Sequence, residues 1–308
     1  MEFVRKFPDE ETCENHLIKM KWPDGFCCSK CNGKKYYKLK GIALKRRRLL
    51  QCANNQCKKQ VSLTKNTIFH ASKLPLQKWF CAIFLVSQTK KGISGVLLSK
   101  QIHVSESTAL LMQYKLRKEM EENMAKYRLG GPGCLVLADE FEVEGRNFLK
   151  QTVLALLEIN SNKKQGRIRL IPIPDKKMTT LKSTMAPLLA QSTTLGVDCK
   201  NGYLKIATRN FNHIEHAGIS HRPENFTRKF LDQLDVNIGN FKKWYRGIHH
   251  SFALANTGYY CNEFSYRFNR RRIEANIFDR LLGRAVSRSR RLKMRDFYQK
   301  KPYQPLAA

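Results

Sequence analysis

Acidic residues are scarce in this chain. Only 25 Asp and Glu stand against 57 Lys and Arg, which leaves a formal net charge of +32 over 308 residues. Ordinary small acidic substrates do not require such a field, whereas a polyanion does. Also missing is any run of ~18 apolar residues, so no membrane-spanning helix is expected. The first ten residues carry charges and no apolar h-region, so no secretory signal is expected, which points to the cytoplasm. Internal repeats and low-complexity tracts are absent as well. What is present is a hydrophobic share of 42% and an aromatic share of 10%, too apolar for a disordered basic tail. The length allows two or three domains with cores of their own.

Ten cysteines are expected to be reduced thiols, and four stand apart by their spacing. Cys28-x2-Cys31 and Cys52-x4-Cys57 are two knuckles separated by twenty residues. A short turn lets two thiolates reach one ion, and two such turns complete a tetrahedral zinc site. Cys27 offers an alternative to Cys28 in the first knuckle, though the x2 spacing favours Cys28. Tyr36–Leu39 and Arg48–Gln51 read as the strands of a small ribbon, which needs the metal to fold because it has so little core.

Beyond the ribbon, Pro75 opens a helix over Leu76–Ser87, with Trp79, Phe80, Ile83, Phe84 and Val86 at helical spacing. A breaker at Gly92–Gly95 precedes a short helix over Val96–Ile102. A tight turn at His103-Val104 then leads to Ser105, the expected cap of a longer helix running from Glu106 to about Met124. This order suits a helix-turn-helix whose second helix presents Gln113, Lys115 and Arg117 to DNA; a plain helical hairpin gives the same pattern. Gly130–Gly133 reads as a linker. Strands are then expected at Cys134–Phe141, Val153–Ile159, Arg167–Pro172 and Thr194–Val197, with a helix over Met178–Gln191, a mixed α/β pattern. From Arg267 to Lys301, 13 Lys and Arg stand against 3 acids with aromatics interleaved, which suits a phosphate backbone, and Arg270, Arg271 and Arg272 are the expected contacts.

Asp139 and Asp198 each end an apolar strand. Carboxylates from two neighbouring strands can hold a pair of hard divalent ions, Mg2+ or Mn2+, for phosphodiester chemistry. A later helical stretch from Asn237 to His250 contains no carboxylate, but Asn240 can offer its amide oxygen and Lys242 can reach a DNA phosphate. His249 and His250 are candidate proton carriers or DNA contacts.

These residues together resemble bacterial insertion-sequence transposases of the Merlin-related, ISXO-like group. The resemblance runs from about residue 9 to residue 285. It includes Trp22-Pro-Asp-Gly-Phe26, the two cysteine knuckles, Ser62–Phe69, Leu74-Pro-Leu76 with Trp79-Phe80, Lys91-Gly-Ile-Ser94 and Gln113–Arg117. It continues with Leu137-Ala-Asp139-Glu140, Asp198 with Gly202-Tyr203, Phe211-x-His213, Asn240-Phe-Lys242-x-Trp244, Gly247-x-His249-His250 and Asn262–Arg270. The resemblance implies a zinc ribbon over 1–65, a helix-turn-helix region over 70–129, an RNase-H-like DDE catalytic domain over 134–290 and a basic tail over 291–308. It implies Mg2+- or Mn2+-dependent cleavage and transfer of double-stranded DNA by Asp139, Asp198 and Asn240, with Lys242 following. It implies binding to terminal inverted repeats, and at least a dimer. The rival expectation is an inactive or repurposed copy that binds DNA without cutting it. The group's third catalytic position varies between Glu, Asn and His, so Asn240 fits. Cys199 and Lys200 depart from the usual Gly and Trp after the second Asp, and Gly239 from the usual Ser.

Overall fold

The structure is a computed structural model that describes residues 2–39, 48–89, 91–122, 126–145, 148–197, 216–218, 226–249, 253–272 and 277–287. The chain divides into two compact units, Met1–Glu119 with Ile273–Asp296, and Met120–Arg272 with Phe297–Ala308.

The first unit starts with α1 (Glu2–Lys6) and α2 (Glu10–Lys21). Asp9 caps α2 by accepting the Thr12 N–H at 2.7 Å, and that bond holds its carboxyl below the usual range. Three short strands follow as an antiparallel sheet in the order β1 (Tyr36–Lys38), β2 (Leu49–Cys52), β3 (Gln60–Ser62). The helices α3 (Leu76–Gln88), α4 (Gly95–Ile102) and α5 (Glu106–Glu119) come next. Pro75 places no side-chain cap on α3. The Glu10 carboxylate of α2 supplies one, accepting the Leu76 and Gln77 N–H groups at 2.8 and 3.0 Å. The same carboxylate receives Arg48 at 2.6 Å, so α2, the start of β2 and α3 are fastened at one point. α4 ends on His103 with φ 51, and Ser105 caps α5 through the Thr108 N–H at 3.3 Å, which reproduces the expected pair of helices and turn. α5 stops at Glu119, short of the expected Met124.

The last described helix, α9 (Ile277–Ser287), belongs to this unit. The reason is its apolar stripe of Ile277, Phe278, Leu281, Leu282, Ala285 and Val286, all buried. Phe278 joins Phe3, Phe7 and Phe84 in an aromatic core, with centroids 5.8, 5.8 and 6.2 Å away. The Ala285 carbonyl also accepts the Ile68 N–H at 3.0 Å.

The second unit is built on a five-stranded sheet in the order β6-β5-β4-β7-β8. β4 (Leu135–Glu144), β5 (Lys150–Ile159) and β6 (Gln165–Ile173) form an antiparallel meander. β7 (Thr194–Val197) runs parallel to β4, and β8 (His216–Gly218) runs parallel to β7. Helix α6 (Met178–Met185) covers one face: Leu181 and Met185 pack with Val136, Ala138, Leu154, Leu156, Ile171 and Val197. Alternation then turns Leu137, Asp139 and Phe141 of β4 to the other face. There lies α7 (Phe226–His249), whose Phe241 ring meets Phe141 edge-on at 5.7 Å. A 3-10 turn over Leu254–Asn256 leads into α8 (Thr257–Phe268), which lies along the open edge of β6. Ser265 Oγ accepts the Leu170 N–H at 3.2 Å and Asn269 Oδ1 the Ile168 N–H at 2.7 Å, so the edge strand is paired. Gly196 of β7 has a steric reason, since a Cβ there would stand 2.9 Å from Leu137.

This is the mixed α/β class expected, with a small N-terminal ribbon and, beyond it, a mixed sheet flanked by helices. The glycine linker differs from expectation. Gly130 donates to Glu158 at 2.8 Å and Gly131 to Thr193 at 2.9 Å, so this stretch is fastened within the second unit. The division between units falls at Glu119 and Met120 instead.

Candidate functional site

Four thiols come together at the end of the ribbon. The Sγ atoms of Cys28, Cys31, Cys52 and Cys57 all lie within 4.8 Å of one another. Cys28 and Cys57 are 3.7 Å apart, and Cys31 and Cys52 are 3.5 Å apart. A Zn–S bond of about 2.3 Å gives a tetrahedron with an edge of about 3.8 Å, so the cluster has the size of a zinc site. Two tight turns build it. In the first, Asn32 N donates to the Cys28 carbonyl at 2.9 Å with Asn32 at φ 55. In the second, Cys57 N and Lys58 N both reach the Asn54 carbonyl at 3.0 Å, and Lys58 takes φ 46. The Lys30 and Cys31 N–H groups point at Cys28 sulfur and lower its thiol to about 6, which favours the thiolate that a metal needs. Gly33 leaves room for the sulfurs, since a Cβ there would lie 3.3 Å from both Cys31 and Cys52 Sγ. Cys27 is exposed and outside the group, which resolves the register of the first knuckle.

The second unit carries the oxygen-bearing candidates. Asp139 sits half-buried on β4, on the face that packs against α7, and accepts the Glu140 N–H at 2.9 Å. The parallel register pairs Ala138 with Val197, so the residues immediately before Asp139 and Asp198 in the chain lie side by side. Asp198 itself lies outside the described residues, as do Cys199, Lys200, Gly202, Tyr203, Phe211, His213, His250 and the tail over 291–308. Asn240 is exposed on α7, next to the buried Phe241. Lys242 is half-buried, with its ammonium 5.4 Å from the centre of the Phe141 ring. Tyr245, one turn on from Phe241, donates to the Glu144 carbonyl at 2.5 Å, so α7 is clamped to the far end of β4. His249 packs on Tyr260 and Trp244, with centroids 4.8 and 5.0 Å away.

The expected DNA contacts fare differently. Gln113 and Arg117 are only 2% and 1% exposed, and Lys115 is also buried. Gln113 donates to the Ile93 carbonyl at 2.8 Å, Lys115 to that of Ile68 at 3.2 Å, and Arg117 to Gln113 at 3.4 Å. All three thus have hydrogen-bond partners in the interior of the first unit. Arg270 stacks on Tyr266 at 3.7 Å and pairs with Glu122 at 2.9 Å. Arg271 stacks on Phe268 at 3.9 Å and donates to the Gln165 and Gly166 carbonyls at 2.9 and 3.2 Å. Arg271 thus fastens the end of α8 to β6 and Arg270 ties it to Glu122, while Arg272 stays exposed. The sequence reading missed Glu10, Glu122 and Glu158, whose roles depend on partners far along the chain. No helix among the described residues is long and apolar enough to cross a membrane.

Two family models match the chain. Residues 8–60 match the transposase zinc-ribbon domain, and residues 135–269 match the ISXO2-like transposase domain. The first covers the cysteine cluster and the second spans β4 through α8. No curated protein matches.

Proposed function

We propose, from the premise that this chain carries an ISXO2-like transposase domain behind a transposase zinc ribbon, that it is a DDE-type DNA transposase. It binds the terminal inverted repeats of its own element and performs divalent-metal-dependent cleavage and strand transfer. Asp139, Asp198 and Asn240 are the residues that would hold Mg2+ or Mn2+. Their carboxylate and amide oxygens are the hard donors such ions take. The ions, when bound, supply activation of a water or 3′-hydroxyl and neutralise charge on the scissile phosphate. Asp139 fixes one donor on a central strand whose neighbours on both sides are hydrogen-bonded, which keeps the site from drifting. Phe241 packs α7 onto Phe141 and so sets the level at which Asn240 stands. Lys242 follows on the same helix as a phosphate contact, its ammonium now resting 5.4 Å from the centre of the Phe141 ring. The net charge of +32 holds DNA at a site whose own acids repel it.

The observation that carries this reading is the pairing of Ala138 with Val197, each directly before one of the two aspartates in the chain. Joining two element ends calls for at least a dimer. The test uses the full chain with duplexes from the DNA flanking its reading frame, in Mg2+ and in Mn2+. Native protein is expected to nick and join them, and Asp139→Asn to bind them without cutting. Binding by native protein with no cleavage in either metal would instead support a repurposed DNA-binding copy. Normal cutting by both Asp139→Asn and Asp198→Asn would refute the site.

A further inference from the structure

The ribbon sheet has two faces of different character. On one, Leu50 is buried, Tyr36 meets Phe26 at 5.0 Å, and Lys38 donates to Asn15 of α2 at 2.7 Å. On the other, the strand register lines up Tyr37, Gln51 and Gln60 as a cross-strand row. Tyr37 is 62% exposed, Gln60 is exposed, and Gln60 Nε2 donates to Gln51 Oε1 at 3.1 Å. Exposed lysines lead into this row, Lys34 and Lys35 ahead of β1 and Lys58 and Lys59 ahead of β3. Between Phe26 and Leu63 the chain has 11 Lys and Arg and no Asp or Glu.

We infer that this row is a base-reading surface that enters the major groove of duplex DNA. The inference deepens the proposed function and rests on it for the choice of DNA as partner. Charge is the first argument: an acid-free segment with lysines framing one face is complementary to a polyanion and repels a basic surface. Shape is the second: the major groove, about 12 Å wide, admits an antiparallel β-ribbon. Chemistry is the third. Glutamine amides present a donor and an acceptor in one plane, the pattern that matches the N6 and N7 edge of adenine. A tyrosine beside them offers a ring for a thymine methyl and a hydroxyl for a phosphate or base edge. A lipid surface would call for more exposed apolar area than this face offers, since Leu39 and Leu49 on it are half-buried and only Tyr37 stands well out.

The test is selection by the zinc-loaded full chain from a pool of duplexes with a randomised central segment. Native protein is expected to enrich a motif. Gln51→Ala with Gln60→Ala is expected to lose the preference at one or two A·T positions and to weaken binding to the enriched duplex about tenfold per glutamine, relative to a scrambled duplex. Its zinc content and its affinity for the scrambled duplex should not change. Replacing Lys34, Lys35, Lys58 and Lys59 with Ala should weaken both duplexes alike and flatten the log–log salt slope by up to about 3.6. An unchanged motif and affinity ratio in the double-glutamine variant would overturn the inference. So would stronger competition from single-stranded RNA or anionic vesicles than from the enriched duplex at equal phosphate. Cleavage is scored separately, so a chain that selects a motif but never cuts fails the proposed function and leaves this inference standing.

Discussion

Replacing Glu10 with Ala tests how the first unit is held together. The Glu10 carboxylate accepts two N–H groups at the start of α3, and those bonds to a helix N-terminus are worth about 1 kcal/mol together. It also accepts Arg48, whose side chain is 8% exposed, at 2.6 Å. A charge-assisted bond of that kind contributes about 1.5 kcal/mol, taken at the low end because Glu10 is itself 36% exposed. Arg48 would keep the Leu74 carbonyl at 3.2 Å and Glu14 at 3.5 Å, so it is not stranded and the larger loss of a broken buried pair is avoided. The expected cost is about 2.5 kcal/mol, or a fall in Tm of about 5–10 °C for a unit of this size. Glu10→Gln keeps one acceptor oxygen, turns the other position into a donor that faces an N–H group, and removes the charge, so it should still cost about 1–2 kcal/mol. The assay is urea unfolding of the full chain in a Trp244→Phe background, where Trp22 and Trp79 both report on the first unit. A Glu10→Ala shift under about 0.5 kcal/mol would refute the reasoning, because it would mean that water caps α3 equally well.

Three further outcomes are expected. Cys31→Ser should abolish stoichiometric zinc by metal analysis, whereas Cys27→Ser, which alters an exposed thiol outside the cluster, should retain it; equal loss in both would return Cys27 to the site. Phe278→Ala should destabilise the first unit by about 3 kcal/mol in the same unfolding assay, since it empties a position 6% exposed among three other phenylalanines. Gly196→Ala should cost about 1–3 kcal/mol in the second unit, because the added methyl meets Leu137 at 2.9 Å and Leu135 at 3.1 Å inside a packed sheet; unchanged stability there would show that β7 can shift.

The zinc cluster was legible because its ligands are local. Two short spacings fix two turns, and only the choice between Cys27 and Cys28 needed coordinates. The strands were legible as apolar runs, though β4 extends to Glu144 and β5 starts at Lys150, since the hairpin beyond the core is polar and loses the apolar signal. Burial of polar side chains was not legible. Lys115 reads as a solvated charge until the Ile68 carbonyl, 47 residues away, is brought to it. Arg271 is similar, because its partners are carbonyls 105 and 106 residues back. The allegiance of α9 was hidden for the same reason. Its stripe announces that it packs, but not against what.

That allegiance has a consequence in time. The first unit draws its core from segments far apart in the chain, with Phe7 and Phe80 made well before Phe278. At about 5–20 residues per second a ribosome needs roughly 10–30 s to travel from Glu119 to Ser287. During that interval the ribbon and its helices lack the element that closes over their phenylalanines. The first unit is therefore finished only after residues 120–272 of the second have been made, and a chain terminated before α9 is left with its aromatic core open.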